Sequence, residues 1–239
     1  MKKHGLAAWT IITLLLLSVP AFAAAEKTEA EVIAACEARL APNSYIPKGV
    51  AHQATATAYE SVTRGVRVTK WYVVFTADQP EGPDFVYYLY LDPPGTILSS
   101  GCGEAVPDED SSIIVKRLEW EREYGLYYFW TIEEKARFNE QVSTPLGARS
   151  GYGVPGDGEI QEAEAVRTAR GALAAKFGLS QSALDTLWQG LLFQTFQSNP
   201  SYWIVNYWEY DPDYAYLFRN AYAAVIDAQT GDVLDLIAY

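Results

Sequence analysis

Hydrophobic residues follow two different spacings along the chain, and each spacing predicts a different secondary structure. Ile33, Cys36 and Leu40 recur three or four positions apart, which predicts a helix over residues 26–40 with one apolar face. Pro42 follows, and proline cannot continue a helical hydrogen-bond ladder. The first folded element is therefore expected to be a short amphipathic helix.

A second helix with the same spacing is predicted over residues 160–177. Its apolar face consists of Val166, Ala169, Leu173 and Phe177. Gly178 follows this helix and suits a left-handed C-terminal cap.

Alternating polar and apolar residues, rich in β-branched and aromatic side chains, predict strands after each helix. After the first helix these are residues 66–76, 85–91 and 97–100. After the second helix they are residues 187–197, 202–210, 217–227 and 233–238.

The elements recur in one order because the sequence itself repeats at a nearly constant offset. The matching pairs are residues 29–40 with 162–173, 71–73 with 203–205, and 92–98 with 227–234. The repeat predicts an α+β fold of two repeated units, each a helix packed on a small antiparallel β-sheet.

Each copy carries an Asp–Gly turn, Asp92 with Gly95 and Asp227 with Gly231. A carboxylate at the start of a turn accepts a hydrogen bond from the amide two residues on, and glycine supplies the positive φ. These four residues are therefore predicted to shape turns rather than to catalyse a reaction.

Residues 105–158 differ from both copies and predict a partly helical linker. Residues 111–124 suit a helix that stops at Gly125. Thr131 and Glu134 have the spacing of a capping box, so another helix is expected to begin there. The rest is rich in Gly, Pro and Ser. Its G-x-G-x-x-G pattern lacks the preceding strand that a dinucleotide site requires, so no cofactor is predicted.

The N-terminus has the features of a secretory signal peptide over residues 1–24. Lys2 and Lys3 precede an apolar stretch at residues 11–19, and Ala21-Phe22-Ala23 supplies a small-x-small cleavage site. The apolar stretch is shorter than the roughly 20 residues that span a bilayer. We therefore expect a secreted or extracytoplasmic protein of the cell envelope, with no stable membrane insertion after cleavage.

The cleaved chain is strongly acidic. Removing Lys2 and Lys3 from the 18 basic residues leaves 16 against 30 acidic ones, a net charge of −14. Such a chain is repelled by phosphate backbones and anionic surfaces, so nucleic acid is excluded as a predicted partner.

Cys36 and Cys102 both remain after cleavage and enter an oxidising compartment. A disulfide between them is one prediction. The alternative is two separately buried thiols, since Cys36 aligns with the small Ala169, which is itself expected to be buried.

Candidate catalytic chemistry is sparse. His52 is the only histidine of the cleaved chain, so neither a Ser-His-Asp site nor a histidine-based zinc site is predicted. Two acidic groups keep a carboxylate hydrolase open as a hypothesis. The groups are Glu119, Glu121 and Glu123, and Glu209, Asp211 and Asp213. The alternative is a solvated helix face for the first group and a hairpin tip for the second.

An aromatic run provides the candidate binding surface. Its residues are Tyr207, Trp208, Tyr210, Tyr214 and Tyr216. Alternation along a strand sends Trp203 and Tyr207 to one face and Trp208 towards the other. One face is expected to be core; the other either contacts a protein or a glycan, or is covered by helices.

Two motifs of the second copy, YWIV at residues 202–205 and AVIDAQTGDVL at residues 224–234, resemble the PepSY domain. This resemblance spans residues 160–239. The first copy, about residues 26–102, is a weaker match and departs at Pro93-Pro94, where its turn is one residue shorter.

The resemblance implies a function without implying catalytic residues. PepSY domains occur in protease propeptides and in secreted or membrane-bound proteins, and they are not known as catalysts. A role in restraining a peptidase is thereby implied. Residues 129–136 and 152–155 also resemble the connecting region of exported proteins from Clostridia-like bacteria.

Four regions are therefore predicted. They are a signal peptide (1–24), a first PepSY-like unit (25–104), a helical and Gly/Pro-rich linker (105–158) and a second PepSY-like unit (159–239). The predicted function is that of an exported, non-enzymatic protein that binds an extracellular peptidase or another cell-envelope protein and inhibits or regulates it. The alternative is a cell-wall glycan-binding module. No catalytic, cofactor-binding or metal-binding residue is predicted.

Overall fold

A computed structural model describes residues 27–40, 46–47, 49–104, 112–142, 153–196 and 199–239. The predicted signal peptide lies outside the described residues, as do residues 105–111 and 143–152 of the linker. No helix among the described residues is long and apolar enough to cross a membrane.

The described residues form five α-helices, one 3₁₀ turn and eight strands. The helices are α1 (Glu29–Glu37), α2 (Ile113–Tyr124), α3 (Ile132–Val142), α4 (Glu162–Phe177) and α5 (Gln181–Asp185), and the 3₁₀ turn is Tyr127–Phe129. The strands are β1 (Gln53–Thr63), β2 (Val66–Thr76), β3 (Phe85–Asp92), β4 (Thr96–Gly103), β5 (Trp188–Phe196), β6 (Asn199–Tyr210), β7 (Phe218–Asp227) and β8 (Val233–Ala238).

The strands form two four-stranded antiparallel sheets. Sheet 1 has the order β1-β2-β3-β4 and sheet 2 the order β5-β6-β7-β8. Each strand pairs with its successor, so each sheet is a meander of hairpins. The predicted combination of helices with two small antiparallel sheets is confirmed.

Sheet 1 carries a buried cluster on each face, because successive residues of a strand point to opposite sides. One cluster joins α1 to the sheet through Val32, Cys36, Val73, Phe75 and Val86. The other joins α2 to the opposite face through Val115, Leu118, Tyr72, Val74 and Leu89. Both faces of sheet 1 are therefore partly covered by helix.

Sheet 2 shares its main cluster with α4. The cluster includes Ala165, Ala169, Leu173, Trp203 and Val205. The indole Nε1 of Trp203 also donates a hydrogen bond to the Ile160 carbonyl at 3.0 Å. This bond ties the residues that lead into α4 to β6.

Three predicted helix ends are confirmed. α2 ends at Gly125 with φ 80°, and α4 ends at Gly178 with φ 68° in the left-handed region. Thr131 Oγ1 accepts from the Glu134 amide at 3.2 Å, and the Thr131 amide donates to Glu134 Oε2 at 2.8 Å. These two bonds are the capping box that opens α3.

The first helix is shorter than predicted and presents a different residue to the core. Thr28 caps its start in a box with Glu31. Val32 is fully buried, whereas Ile33 is only partly buried. The buried stripe therefore runs through positions four apart, starting at Val32 rather than at Ile33.

One of the two predicted Asp turns is built differently. Asp227 accepts hydrogen bonds from two amides of its own turn, at 2.8 and 2.9 Å, as predicted. Two residues after Asp92 stands Pro94, which has no N–H to donate. The Asp92 carboxylate instead accepts the backbone amide of Lys27 at 2.8 Å, so its predicted partner is wrong.

Candidate binding cavity between the two sheets

The two sheets meet in a small apolar junction. Its buried residues are Val68, Leu91, Leu126, Leu217 and Phe218. They belong to β2, β3, the segment after α2, and the start of β7 with the residue before it. The junction thus joins sheet 1, the linker and sheet 2.

A cavity of about 240 Å³ lies at this junction. Sheet 1 lines it with Val68, Lys70, Leu89, Leu91, Leu98 and Ser99. A bulge in β4, where Leu89 pairs with Ser99 and the next residue pairs with Ile97, allows two consecutive residues to reach the same space. The sheet-1 wall is therefore apolar except for one lysine and one serine.

The linker and sheet 2 close the other sides. The linker contributes Arg117, Glu121, Leu126, Tyr127 and Tyr128, and sheet 2 contributes Tyr216, Leu217 and Phe218. Arg117 and Glu121 are four residues apart on α2 and therefore share one face of the helix. Tyr128 and Tyr216 are about half exposed, at 53% and 52%, and mark the side of the cavity that faces solvent.

A buried ion pair stands inside the cavity. Lys70 Nζ lies 2.5 Å from Glu121 Oε2, and the two residues are only 8% and 2% exposed. The other carboxylate oxygen of Glu121 accepts the Tyr127 amide at 3.1 Å. Burial lowers the pKa of Lys70, and the neighbouring Glu121 charge opposes that shift.

Arg117 is the second cation at the cavity. Its guanidinium lies over the Tyr127 ring, 5.7 Å from the centroid. Among the described residues it makes no ion pair. Its charge also lowers the pKa of Lys70. The cavity therefore holds two cations and one carboxylate, and that carboxylate is already bonded to Lys70.

Leu217 reaches the junction through an unusual backbone conformation. Its φ is 65°, a region that leucine rarely adopts. The turn is held by the Leu217 amide, which donates to the Tyr214 carbonyl at 2.9 Å, and by the Asp211 amide, which donates to the Leu217 carbonyl at 2.9 Å. The β6–β7 hairpin thereby directs a buried leucine towards sheet 1.

A second buried lysine positions the rim of the cavity. Lys135 Nζ donates to the Leu191 carbonyl at 2.6 Å and to the Tyr128 carbonyl at 3.3 Å. Burial lowers the pKa of Lys135 to about 8. The ammonium thus ties the 3₁₀ turn, and with it Tyr128, to strand β5.

The predicted aromatic surface is divided by the structure. Tyr207 is 1% exposed, and burial raises its pKa to about 12. Trp208 and Tyr210 are half-buried beside the junction, and Tyr214 is half-buried in the hairpin. Of the five residues only Tyr216 is exposed and lines the cavity. The assignment of Tyr207 to the surface is therefore wrong, because it belongs to the face of β6 that shares a cluster with α4.

The predicted disulfide is not formed. Cys36 and Cys102 are both free, the first buried and the second exposed. Cys36 belongs to the cluster between α1 and sheet 1, where burial raises its pKa to about 11. The alternative of two separately buried thiols is right for Cys36 and wrong for Cys102, which is exposed.

The two acidic groups have different surroundings. Glu119 and Glu123 are exposed, as expected for a helix face, but Glu121 between them is buried. In the second group Asp211 accepts from Arg219 Nη2 at 2.7 Å and from the Asp213 amide at 3.0 Å, as in a hairpin tip. Within the described residues, no three His, Cys, Asp or Glu side chains are grouped so that they could hold a metal ion.

His52 has a structural position. Its Nδ1 lies 2.9 Å from the Val50 carbonyl oxygen and its Nε2 lies 3.0 Å from Glu37 Oε1. The ring therefore connects the end of α1 to the segment that leads into β1.

Lys70, Arg117 and Lys135 are not among the sequence-based candidates. Lys70 alone carries a usable signal, because it is a charged residue among alternate positions of β2 that are otherwise apolar, from Val66 to Val74. Arg117 and Lys135 lie on helices with many charged residues, where nothing in the spacing distinguishes a buried or unpaired cation.

Comparison of the chain with protein-family models, with curated proteins and with solved structures found no match.

Proposed function

We propose that this protein is an exported, non-enzymatic binding protein that holds part of a protein partner in the cavity between the sheets. The observation that carries the proposal is the composition of the cavity. Leucine side chains form its walls, Lys70 and Arg117 provide charge, and two exposed tyrosines stand at its opening. Apolar walls with a few polar groups are typical of binding sites.

The partner in this proposal is an extracellular peptidase or another cell-envelope protein. The PepSY-like motifs at residues 202–205 and 224–234 support it, because PepSY domains accompany proteases as propeptides. The predicted signal peptide supports export. In this proposal the protein inhibits or regulates its partner by holding part of that partner in the cavity.

A duplication of one PepSY-like unit is part of the same proposal. Each sheet is a four-stranded meander, and each is preceded by a helix that shares a buried cluster with it. The common order supports two copies of one unit. The cavity then lies where the copies and the linker meet, a position that neither copy alone could provide.

Two matched variants test whether the cavity binds the partner. Ser99 lines the cavity and is exposed, so Ser99→Trp places an indole in the binding space without disturbing a buried residue. The control is Ser100→Trp, since the exposed Ser100 points to the opposite face of β4. Each purified protein is titrated against the secreted peptidases of its host and used in pull-downs.

We expect the wild-type protein and Ser100→Trp to capture a peptidase or envelope protein and to change its activity, and Ser99→Trp to do neither. Equal capture by all three proteins would place the binding surface elsewhere and overturn the proposal. Failure of the wild-type protein to capture or inhibit any of them would also overturn it.

Binding to cell-wall glycan is a second candidate, favoured by the exposure of Tyr128 and Tyr216. Sugar rings pack on exposed aromatic side chains, and these two rings flank one opening. Sedimentation with purified peptidoglycan tests this candidate. Loss of sedimentation in a Tyr128→Ala, Tyr216→Ala double variant would support it, and a wild-type protein that stays in solution would rule it out.

A further inference from the structure

We propose that the cavity binds the C-terminal residue of an extended peptide, with an apolar side chain among the leucines and the α-carboxylate at Arg117. This inference rests on the proposed binding function and specifies its ligand. It follows from the charge of the cavity, from its size and walls, and from the edge strand beside it.

The charged side chains that line the cavity favour a ligand with a carboxylate. Each carboxylate oxygen of Glu121 already accepts a hydrogen bond, one from Lys70 and the other from the Tyr127 amide, and neither oxygen is bonded to Arg117. Arg117 makes no ion pair within the described parts of the chain. A guanidinium that is partly removed from water gains from a planar anion, with which it forms two parallel hydrogen bonds. A carboxylate at this position would also offset the repulsion between Arg117 and Lys70.

The apolar walls and the small volume of the cavity favour a ligand with one apolar side chain next to that carboxylate. Leu89, Leu91, Leu98 and Leu126 all line the cavity. Its volume of about 240 Å³ is below the range of roughly 300–1,000 Å³ that is typical of sites for drug-sized molecules. A single leucine or phenylalanine side chain is of the right size. Within a peptide chain, only the C-terminal residue carries its side chain and a free carboxylate on the same α-carbon.

The neighbouring strand favours a peptide over a small carboxylic acid. β4 is an edge strand, and it pairs only with β3 among the described strands. An edge strand presents unpaired N–H and C=O groups to which an extended peptide can add. Leu98 and Ser99 of this strand line the cavity. A peptide that pairs with β4 can therefore deliver its last residue to Arg117.

The test compares two peptides that differ in one group. N-acetyl-Ala-Ala-Ala-Leu with a free α-carboxylate and the same peptide with a C-terminal carboxamide are titrated into the full-length protein by calorimetry. The protein variants are Arg117→Gln and, as the matched control, Arg122→Gln, which changes an exposed arginine on the same helix. Circular dichroism of each variant checks that it is folded.

We expect the free acid to bind the wild-type protein and Arg122→Gln about tenfold to a hundredfold more tightly than the carboxamide. In Arg117→Gln that preference should disappear, and both peptides should bind with the affinity of the carboxamide. Equal binding of acid and carboxamide to the wild-type protein would overturn the inference, as would a preference that survives in Arg117→Gln.

The same experiment separates this inference from the proposed function. If neither peptide binds, but Ser99→Trp still abolishes partner capture, then the inference of a bound C-terminal carboxylate is wrong, whereas the proposal that the cavity binds the partner is retained. If Ser99→Trp captures the partner as well as the wild-type protein does, the proposal that the cavity binds the partner is itself wrong.

Discussion

At the residue scale, the fold depends on both partners of the buried ion pair between Lys70 and Glu121 being present. Two charges removed from water gain little net stability when paired, but either one alone is costly. We therefore expect Glu121→Ala to lower the free energy of unfolding by about 3–5 kcal/mol, because it leaves Lys70 buried without its partner. Urea unfolding measures the difference.

The matched experiment replaces both charges. A Lys70→Met, Glu121→Leu double variant keeps the volume and removes the need for pairing, so it should be as stable as the wild-type protein or more stable. Glu119→Gln, an exposed change on the same helix, serves as the control. A Glu121→Ala variant that is as stable as Glu119→Gln would show that Lys70 is not buried with Glu121 in solution.

Lys135 should make stability depend on pH in a predictable direction. Burial lowers its pKa from 10.5 to about 8. Between these values the unfolded chain keeps a proton that the folded protein has released, so the contribution of Lys135 to stability rises with pH. Relative to a Lys135→Met variant, the wild-type free energy of unfolding should increase by up to about 3 kcal/mol across this window.

Comparison with the variant removes the effects of other groups. Burial raises the pKa values of Cys36 and Tyr207, so both lower the stability of the folded state at alkaline pH. Both residues are present in each protein, and their effects cancel in the difference. A difference that stays constant from neutral pH to pH 10.5 would contradict the burial of Lys135.

At the element scale, docking of the 3₁₀ turn on strand β5 depends on a glycine. A Cβ at Gly190 would collide with the Tyr128 carbonyl oxygen and with the Trp208 ring. We expect Gly190→Ala to cost about 1–3 kcal/mol, as overpacking usually does. Thermal unfolding measures this loss of stability as a lower melting temperature.

Gly171 provides the control for this change. It lies exposed on α4, and apart from its own helix backbone and adjacent residues no atom lies within 4 Å of the place that a Cβ would take, so alanine fits without strain. Gly171→Ala should stabilise the protein by about 0.5–1 kcal/mol, since glycine is a poor helix former. If both glycine variants were stabilised equally, the close approach of the 3₁₀ turn to β5 would be disproved.

Local signals were sufficient to predict most elements. The two glycines that end α2 and α4 and the capping box at Thr131 are decided by neighbouring residues, and the predictions hold. The exceptions are α5, the 3₁₀ turn and β1. For β1 the reason lies in its sequence. Its first half alternates alanine with threonine and lacks the large apolar residues that mark a strand, so it owes its place to pairing with all of β2.

The cavity could not be predicted in the same way. Lys70 and Glu121 are 51 positions apart, and their contact depends on how α2 lies against sheet 1. The burial of Tyr207 likewise depends on which face of β6 receives α4. The alternation of residues along a strand assigns each side chain to one of two faces, but only the packing of other elements determines which face is buried in the core.

At the scale of the whole molecule, the junction is where sheet 1, the linker and sheet 2 depend on one another. Phe218 packs there with Phe129 and Trp188, at centroid distances of 5.1 and 5.0 Å, while Arg64 of the β1–β2 turn lies over the Trp188 ring at 5.0 Å. These contacts join residues from all three regions. A ligand in the cavity would therefore contact residues of sheet 1, the linker and sheet 2 at once.

The central claim is that the cavity at the junction is where a partner binds, and site-specific photo-crosslinking tests it most directly. A photoreactive phenylalanine derivative replaces Tyr216 at the cavity opening or, as the control, Tyr239, which is also exposed at 68% but follows the edge strand β8 and does not line the cavity. Each protein is irradiated with the secreted proteins of its host. The account predicts a crosslinked partner from position 216 and none from position 239. Crosslinking of the same partner from position 239 alone would contradict it.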